Sequence, residues 1–319
     1  MNDKLTKNER RQQARENARL AQEAEKKREK RNRLMLQGGI VLVVLAVIGI
    51  VALVLTQTMK PAGPGPVNMV SGGVTFTTDL EVVETPALGE GEERVSRDID
   101  FDALPVDVAI YVDYSCPGCG TFEQTYGEML ERYTGNGDIN LTVYPVNFLD
   151  ANSGTKYSTR AANLVSCVVE QQPEFAFALH NELLSANVQP GQNQPNWHTD
   201  EQLIEIAETV GVDPNTELKQ CMKDQRFAGF ISGNWKAASE TGLLGLADGA
   251  VLYANPSTGE LQNPDGPQRL VSTPTVIING QQWNSATDGD LETYILKLIA
   301  ENGGADEAAE SAEDEAATE

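Results

Sequence analysis

The chain has 319 residues, 40% of them hydrophobic and 22% charged, which excludes both wholesale disorder and a multi-span membrane protein. Its formal charge of −23 hides an asymmetry: residues 1–37 carry 12 Lys+Arg against 6 Asp+Glu, and everything after residue 56 carries 12 against 41. A body this acidic repels a phosphate backbone at long range, so no nucleic-acid partner is expected.

Residues 1–37 form a basic tail of helix-forming composition with almost no apolar stripe. It reads either as a solvated, topogenic tail or as a patch drawn to anionic lipid head groups. Gly38 to Leu55 then run for 18 residues without a charge or a strongly polar group. At about 1.5 Å per residue this stretch nearly crosses a hydrocarbon core of roughly 30 Å. The long basic lead, and the lack of a small-x-small site after the apolar run, separate it from a cleavable secretory signal. We read residues 38–56 as a signal anchor passing once through the lipid bilayer of the cell membrane. The basic flank stays cytoplasmic and the rest of the chain lies outside the cytoplasm.

Proline and glycine dominate residues 60–66, and 57–75 read as a short stiff stalk with too little apolar content to pack. The folded part is expected over 76–300, long enough for a sizeable core. Val106 to Val112 is a short apolar run of strand type. Phe122, Tyr126, Met129, Leu130 and Tyr133 then fall on one face of a helix, and Ile139, Leu141 and Val143 alternate as a strand. Residues 150–242 read as a helical insertion. Within it Thr199 and Gln202 form a capping box, and Asp213-Pro214 reads as the N-cap and first-turn proline of a later helix. Thr275 to Ile278 is again a strand, Asn279-Gly280 is a hairpin turn, and Leu291 to Ile299 is a closing amphipathic helix. Residues 301–319 hold 8 acids and no base, and read as a disordered tail. The order of elements implies an α/β layer carrying a helical insertion.

The chemistry lies in four cysteines. Cys116-Pro117-Gly118-Cys119 stands where the Val106–Val112 strand passes into the next helix. The first cysteine therefore meets free N–H groups and the positive end of the helix dipole, which favour a thiolate. Such a sulfur is a good leaving group in thiol–disulfide exchange, and Pro117 at the first helical position costs no hydrogen bond. Cys116 is expected to be accessible, with Cys119 buried behind it. Zinc would require a second cysteine pair or histidines at ligand spacing, whereas the other two cysteines are single and only His180 and His198 are present. No metal is expected. A purely structural Cys116–Cys119 bridge would constrain the unfolded chain little. Cys167 and Cys221 both read as core-facing, and outside the cytoplasm they form either a structural disulfide or two inert buried thiols. His180 reads as a half-buried polar residue and His198 as solvated. Asp113 is either a perturber of the thiol or proton carrier, or a strand-end surface acid.

The stretch from Tyr111 to Cys119 (YVDYSCPGC) resembles the active site of the DsbA-like, thioredoxin-fold thiol–disulfide oxidoreductases of bacteria. Thr273-Pro274-Thr275, ahead of an Ile-Ile-Asn-Gly hairpin, resembles their cis-proline loop. The resemblance implies a thioredoxin-like fold with a helical insertion and a cis peptide at Thr273–Pro274 packed against the dithiol. It further implies that the Thr273 backbone pairs with substrate and that the only redox group is the Cys116–Cys119 disulfide. The implied substrates are unfolded or reduced exported proteins. The implied direction is oxidation, and the partner a membrane protein that re-oxidises the dithiol. The competing reading is a non-catalytic, membrane-anchored binding module on the same fold, and within the enzyme class the same residues could serve a reductase or isomerase. Two features depart from the family. The dipeptide between the cysteines lacks the histidine of the strongly oxidising members, and residues 243–272 form an extra segment, either a lid over the substrate or a further hairpin.

Overall fold

The computed structural model describes residues 64–189 and 197–303. The basic tail, the 38–56 anchor, residues 57–63 of the stalk and the acidic tail from 304 onward lie outside the described residues. Among the described residues, no helix is long and apolar enough to cross a membrane.

Two parallel strands form the centre. β2 (Val106–Val112) and β3 (Ile139–Pro145) pair in parallel, with Val108 beside Leu141 and Ile110 beside Val143. The connection between them is helix α1 (Pro117–Asn136), and Gly137 ends it in a left-handed cap at φ 83°. β1 (Val74–Phe76) adds antiparallel to the far edge of β3. On the other side β6 (Thr275–Ile278) pairs antiparallel with β2, and β7 (Gln281–Gln282) completes the order β1-β3-β2-β6-β7. The β6–β7 turn places Asn279 and Gly280 at φ 43° and 73°, the left-handed pair of a type I′ hairpin.

All seven residues of β2 are buried, because both faces of the sheet are covered. Alternation sends Val108, Ile110 and Val112 toward the main core with Phe122, Met129 and Leu130 of α1, and with Leu291 and Ile295 of the last helix. It sends Ala109 and Tyr111 to the opposite face. There the extra segment 243–272 packs through Leu252 and Leu270 and turns out a small hairpin, β4 (Tyr253–Asn255) with β5 (Glu260–Leu261). It is thus a hairpin-bearing cover on the sheet face turned away from α1.

The insertion contains α2 (Tyr157–Gln171), α3 (Ala176–Leu184), α4 (Asp200–Thr209), α5 (Thr216–Asp224) and α6 (Ala228–Lys236). Thr199 and Gln202 form the capping box of α4. The N-cap of α5 is Asn215, whose side chain accepts the N–H groups of Glu217 and Leu218. Asp213 is drawn off instead by the Gln172 carboxamide, which bonds both its N–H and its carbonyl. Cys167 of α2 and Cys221 of α5 are joined by a disulfide in the main core, both fully buried.

Two boundaries read from the sequence are corrected. Residues 64–75 are not a stalk: Met69 lies in the main core, the Gly65 N–H bonds the Leu88 carbonyl, and the Asn234 side chain holds the Gly72 carbonyl. Glycine here serves close approach rather than flexibility, since a Cβ at Gly65 would lie 2.7 Å from the Phe230 ring. At the other end the last helix, α8 (291–303), continues past residue 300. α7 is the short Ser285–Asp288 turn before it.

The disulfide closes a loop of 54 residues, and in the chain-entropy picture this stabilises the fold by about 4 kcal/mol. Cys167→Ala should therefore lower Tm by roughly 10 °C, as followed by circular dichroism. Dithiol chemistry at Cys116 should persist in the same variant.

Candidate active site

β2 ends at Val112, and the chain turns through residues 113–116 before α1 begins. The carboxylate of Asp113, fully buried, organises this turn. One oxygen accepts the Ser115 N–H and hydroxyl, both at 2.8 Å, and the other accepts the Leu149 N–H at 2.8 Å. Burial pushes the Asp113 carboxyl upward, and the hydrogen bonds from Ser158, Leu149 and Ser115 oppose that shift. Asp113 is a clamp under the active-site turn, not a surface acid.

Cys116 is the N-cap of α1 and Pro117 its first residue. Its sulfur lies 3.2 Å from the Thr273 carbonyl, although 157 residues separate the two. The Thr273–Pro274 peptide is cis. Pro274 packs against the motif so closely that a Cβ on Gly118 would lie 3.3 Å from its ring and 3.6 Å from the Cys116 sulfur. Thr273, Pro274, Pro117, Gly118, Cys116 and Cys119 are thus gathered in one place. Cys167 and Cys221 are not part of it. The loop closes over Cys116 more tightly than the sequence suggests, leaving the residue 8% exposed against 1% for Cys119.

Both sulfurs are free thiols, in opposite electrostatic settings. The Cys119 thiol donates toward Cys116, and this holds the Cys116 thiol down at about 6 against the opposing effect of burial. The N–H groups of Cys119 and Gly118 add to the same effect. For Cys119, burial pushes the thiol far up, and the neighbouring Cys116 sulfur pushes it further. One sulfur is thereby a thiolate at neutral pH and the other a thiol.

Behind Cys119 lies a buried chain that no local pattern of residues foreshadows. The Tyr114 hydroxyl meets His180 Nδ1 at 3.1 Å, and His180 Nε2 lies 3.4 Å from the Glu123 carboxylate. His180 is 2% exposed and belongs to this core cluster. His198 is not free in solvent either, its Nε2 being 2.7 Å from the Val188 carbonyl. Among the described residues no cluster has the donors of a metal site.

The family model described as Thioredoxin matches residues 80–245. The chain belongs to the thioredoxin family. The serine/threonine-protein kinase PknE of Mycobacterium tuberculosis is 30% identical over 155 residues, which are 47% of this chain and 27% of the kinase. The chain therefore spans about a quarter of that relative's length. Solved structures with a similar fold include reduced DsbA from Mycobacterium tuberculosis, with 21% identity, a TM-score of 0.46, and coverage of 72% of this chain and 98% of that one. Oxidised BdbD from Bacillus subtilis has 20% identity and a TM-score of 0.45, and the match covers 76% of this chain and all of BdbD. In this thioredoxin-family chain the matched residues hold β2, α1, β3 and the insertion, and the Thr273–Pro274 loop lies beyond them.

The two thiols should separate cleanly by pH. Alkylation of the reduced protein with iodoacetamide should report Cys116 with a midpoint near 6, against about 8.5 for an unperturbed cysteine, while Cys119 stays unlabelled. The folded value lies below the unfolded one. The thiolate therefore stabilises the reduced fold fully above about pH 8.5, and this contribution fades as pH falls through about 6. The Tm difference between the reduced protein and Cys116→Ser should grow across that window. A flat difference would contradict the assignment.

Proposed function

We propose that this protein is a thiol–disulfide oxidoreductase acting outside the cytoplasm, tethered to the cell membrane through residues 38–56, and that it introduces disulfides into exported proteins. The observation that carries the reading is the pairing of a low-pKa sulfur at the N-terminus of α1 with a buried high-pKa sulfur behind it, under the Thr273 carbonyl.

The chemistry follows from that asymmetry. In the oxidised protein a substrate thiolate attacks the Cys116 sulfur. The Cys116–Cys119 bond breaks, a substrate–Cys116 bond forms, and Cys119 departs with the electron pair and takes up a proton. A second substrate thiolate then attacks the substrate sulfur of this mixed disulfide. Cys116 leaves as the thiolate that its surroundings already stabilise, and this favours release of oxidised substrate. Two electrons have moved from the substrate dithiol to the protein dithiol, and a re-oxidising membrane partner removes them. The Thr273 backbone next to the sulfur suits an extended substrate strand, which adds to the loop by main-chain hydrogen bonds. Substrates are taken to be unfolded or reduced, because only those present such a strand with free thiols.

Incubating Cys119→Ala with a disulfide-bonded peptide should accumulate a mixed disulfide on Cys116, one peptide thiolate leaving as the new bond forms, seen by non-reducing mass spectrometry. Cys116→Ser should form none and should lower peptide oxidation to the background rate. A Cys116→Ser protein that kept its cellular role would support a binding module instead of an enzyme.

A further inference from the structure

Gln189 belongs to neither the dithiol motif nor the proline loop, yet through it the helical insertion reaches the active-site turn. It sits in a turn just after α3, where the N–H groups of Val188 and Gln189 bond the Ser185 carbonyl. Its Nε2 donates to the Cys116 carbonyl at 2.7 Å. The same oxygen accepts the Gly120 N–H at 3.1 Å. The carboxamide rests on Gly120, where a Cβ would fall 1.8 Å from Oε1 and 2.5 Å from the side-chain carbonyl carbon. Glycine at 120 therefore leaves the space that the carboxamide fills.

We propose that Gln189 is a positioning residue of the dithiol: by holding the Cys116 carbonyl it fixes the Cys116–Pro117 peptide plane, and with it the approach of the Cys116 sulfur to the first turn of α1. The inference rests on the oxidoreductase reading above. As N-cap, Cys116 has a backbone outside the regular helix, so its sulfur points only as well as the flanking peptide is held. The Gly120 N–H fixes the carbonyl along the helix axis, and Gln189 fixes it from the side. A carboxamide does this as a neutral donor. A carboxylate there would repel the carbonyl oxygen and set a second anion beside the thiolate.

The other titratable groups around the site are Cys119 on α1, Asp113 in the turn after β2, Tyr114, Glu123 and His180 behind Cys119, and His198, held on the Val188 carbonyl beside Gln189. None of them is hydrogen-bonded to Gln189, so a change there leaves them in place. The loop ahead of β6 contributes only the neutral Thr273.

Two variants of the full chain separate positioning from structure. Gln189→Ala removes the donor. Gly120→Ala keeps the glutamine and displaces it, while alanine inside a helix favours folding, so Tm should hold or rise. The clash involves only the far end of a long side chain, and the fold should accommodate it. The thiolate absorbance of reduced protein is followed against pH, with the glutathione equilibrium measured in parallel. Both variants should raise the Cys116 midpoint by about half to one unit, the size of one lost hydrogen bond. Both should also shift the glutathione equilibrium toward the disulfide form by about three- to tenfold. A wild-type midpoint near 6 with either variant unshifted would overturn the positioning role alone. A wild-type midpoint near 8.5 would overturn the oxidoreductase reading, and this role with it.

Discussion

The structure depends on one long-range closure: the chain that leaves β2 at Val112 must meet the chain that enters β6 at Thr275. Antiparallel pairing of Tyr111 with Thr275 and of Ile110 with Val276 fixes this register. As a result the Cys116 sulfur, four residues beyond the end of β2, and the Thr273 carbonyl, two residues before the start of β6, face each other at 3.2 Å. A slip of one residue would turn Ile110 toward the opposite face and carry the Thr273–Pro274 loop off the dithiol. Burial of all of β2 on both faces resists such a slip, so the same apolar contacts that stabilise the sheet also set the geometry of the redox centre.

Two sulfurs with the same chemistry are made unlike by where that closure leaves them. Cys116 caps a helix, with N–H groups, the Thr273 carbonyl and the Cys119 thiol around its sulfur. Cys119, one turn further, is buried among Tyr114, Phe122 and the sheet. The Asp113 clamp beneath and the insertion beside keep the turn in place. The insertion in turn is held together by the α2–α5 disulfide, remote from the redox pair. The bond that stabilises and the bond that reacts are thus kept apart in space, and each can break without the other.

Much of this was legible in the sequence because it is local. The cysteine pair at a strand–helix junction, the alternation in β2 and β3, the capping box at Thr199 and the Asn279-Gly280 turn all depend on near neighbours. The remainder depends on distant contacts. The segment 64–75 looks like a linker by composition, and only the cleft formed by Leu88, Phe230 and Asn234 makes its glycines a packing feature. Asp213 ahead of Pro214 reads as the cap, but the Gln172 carboxamide holds its backbone and Asn215 caps α5 instead. Asp113, His180 and Gln189 each carry a side chain common on surfaces. Their roles come from the Leu149 N–H, the Tyr114 hydroxyl and the Cys116 carbonyl, and no spacing rule links those positions. The one hint available was Gly120, a glycine early in a helix that needs none for its backbone.

The proposed oxidising direction rests on Cys116: a low-pKa sulfur there favours the reduced dithiol over the disulfide. The reduction potential of the Cys116–Cys119 pair, measured by equilibration with glutathione, tests that account most directly. The account predicts a value on the oxidising side, closer to about −120 mV than to about −270 mV. A value near about −270 mV would mark a thioredoxin-type reductant and contradict it.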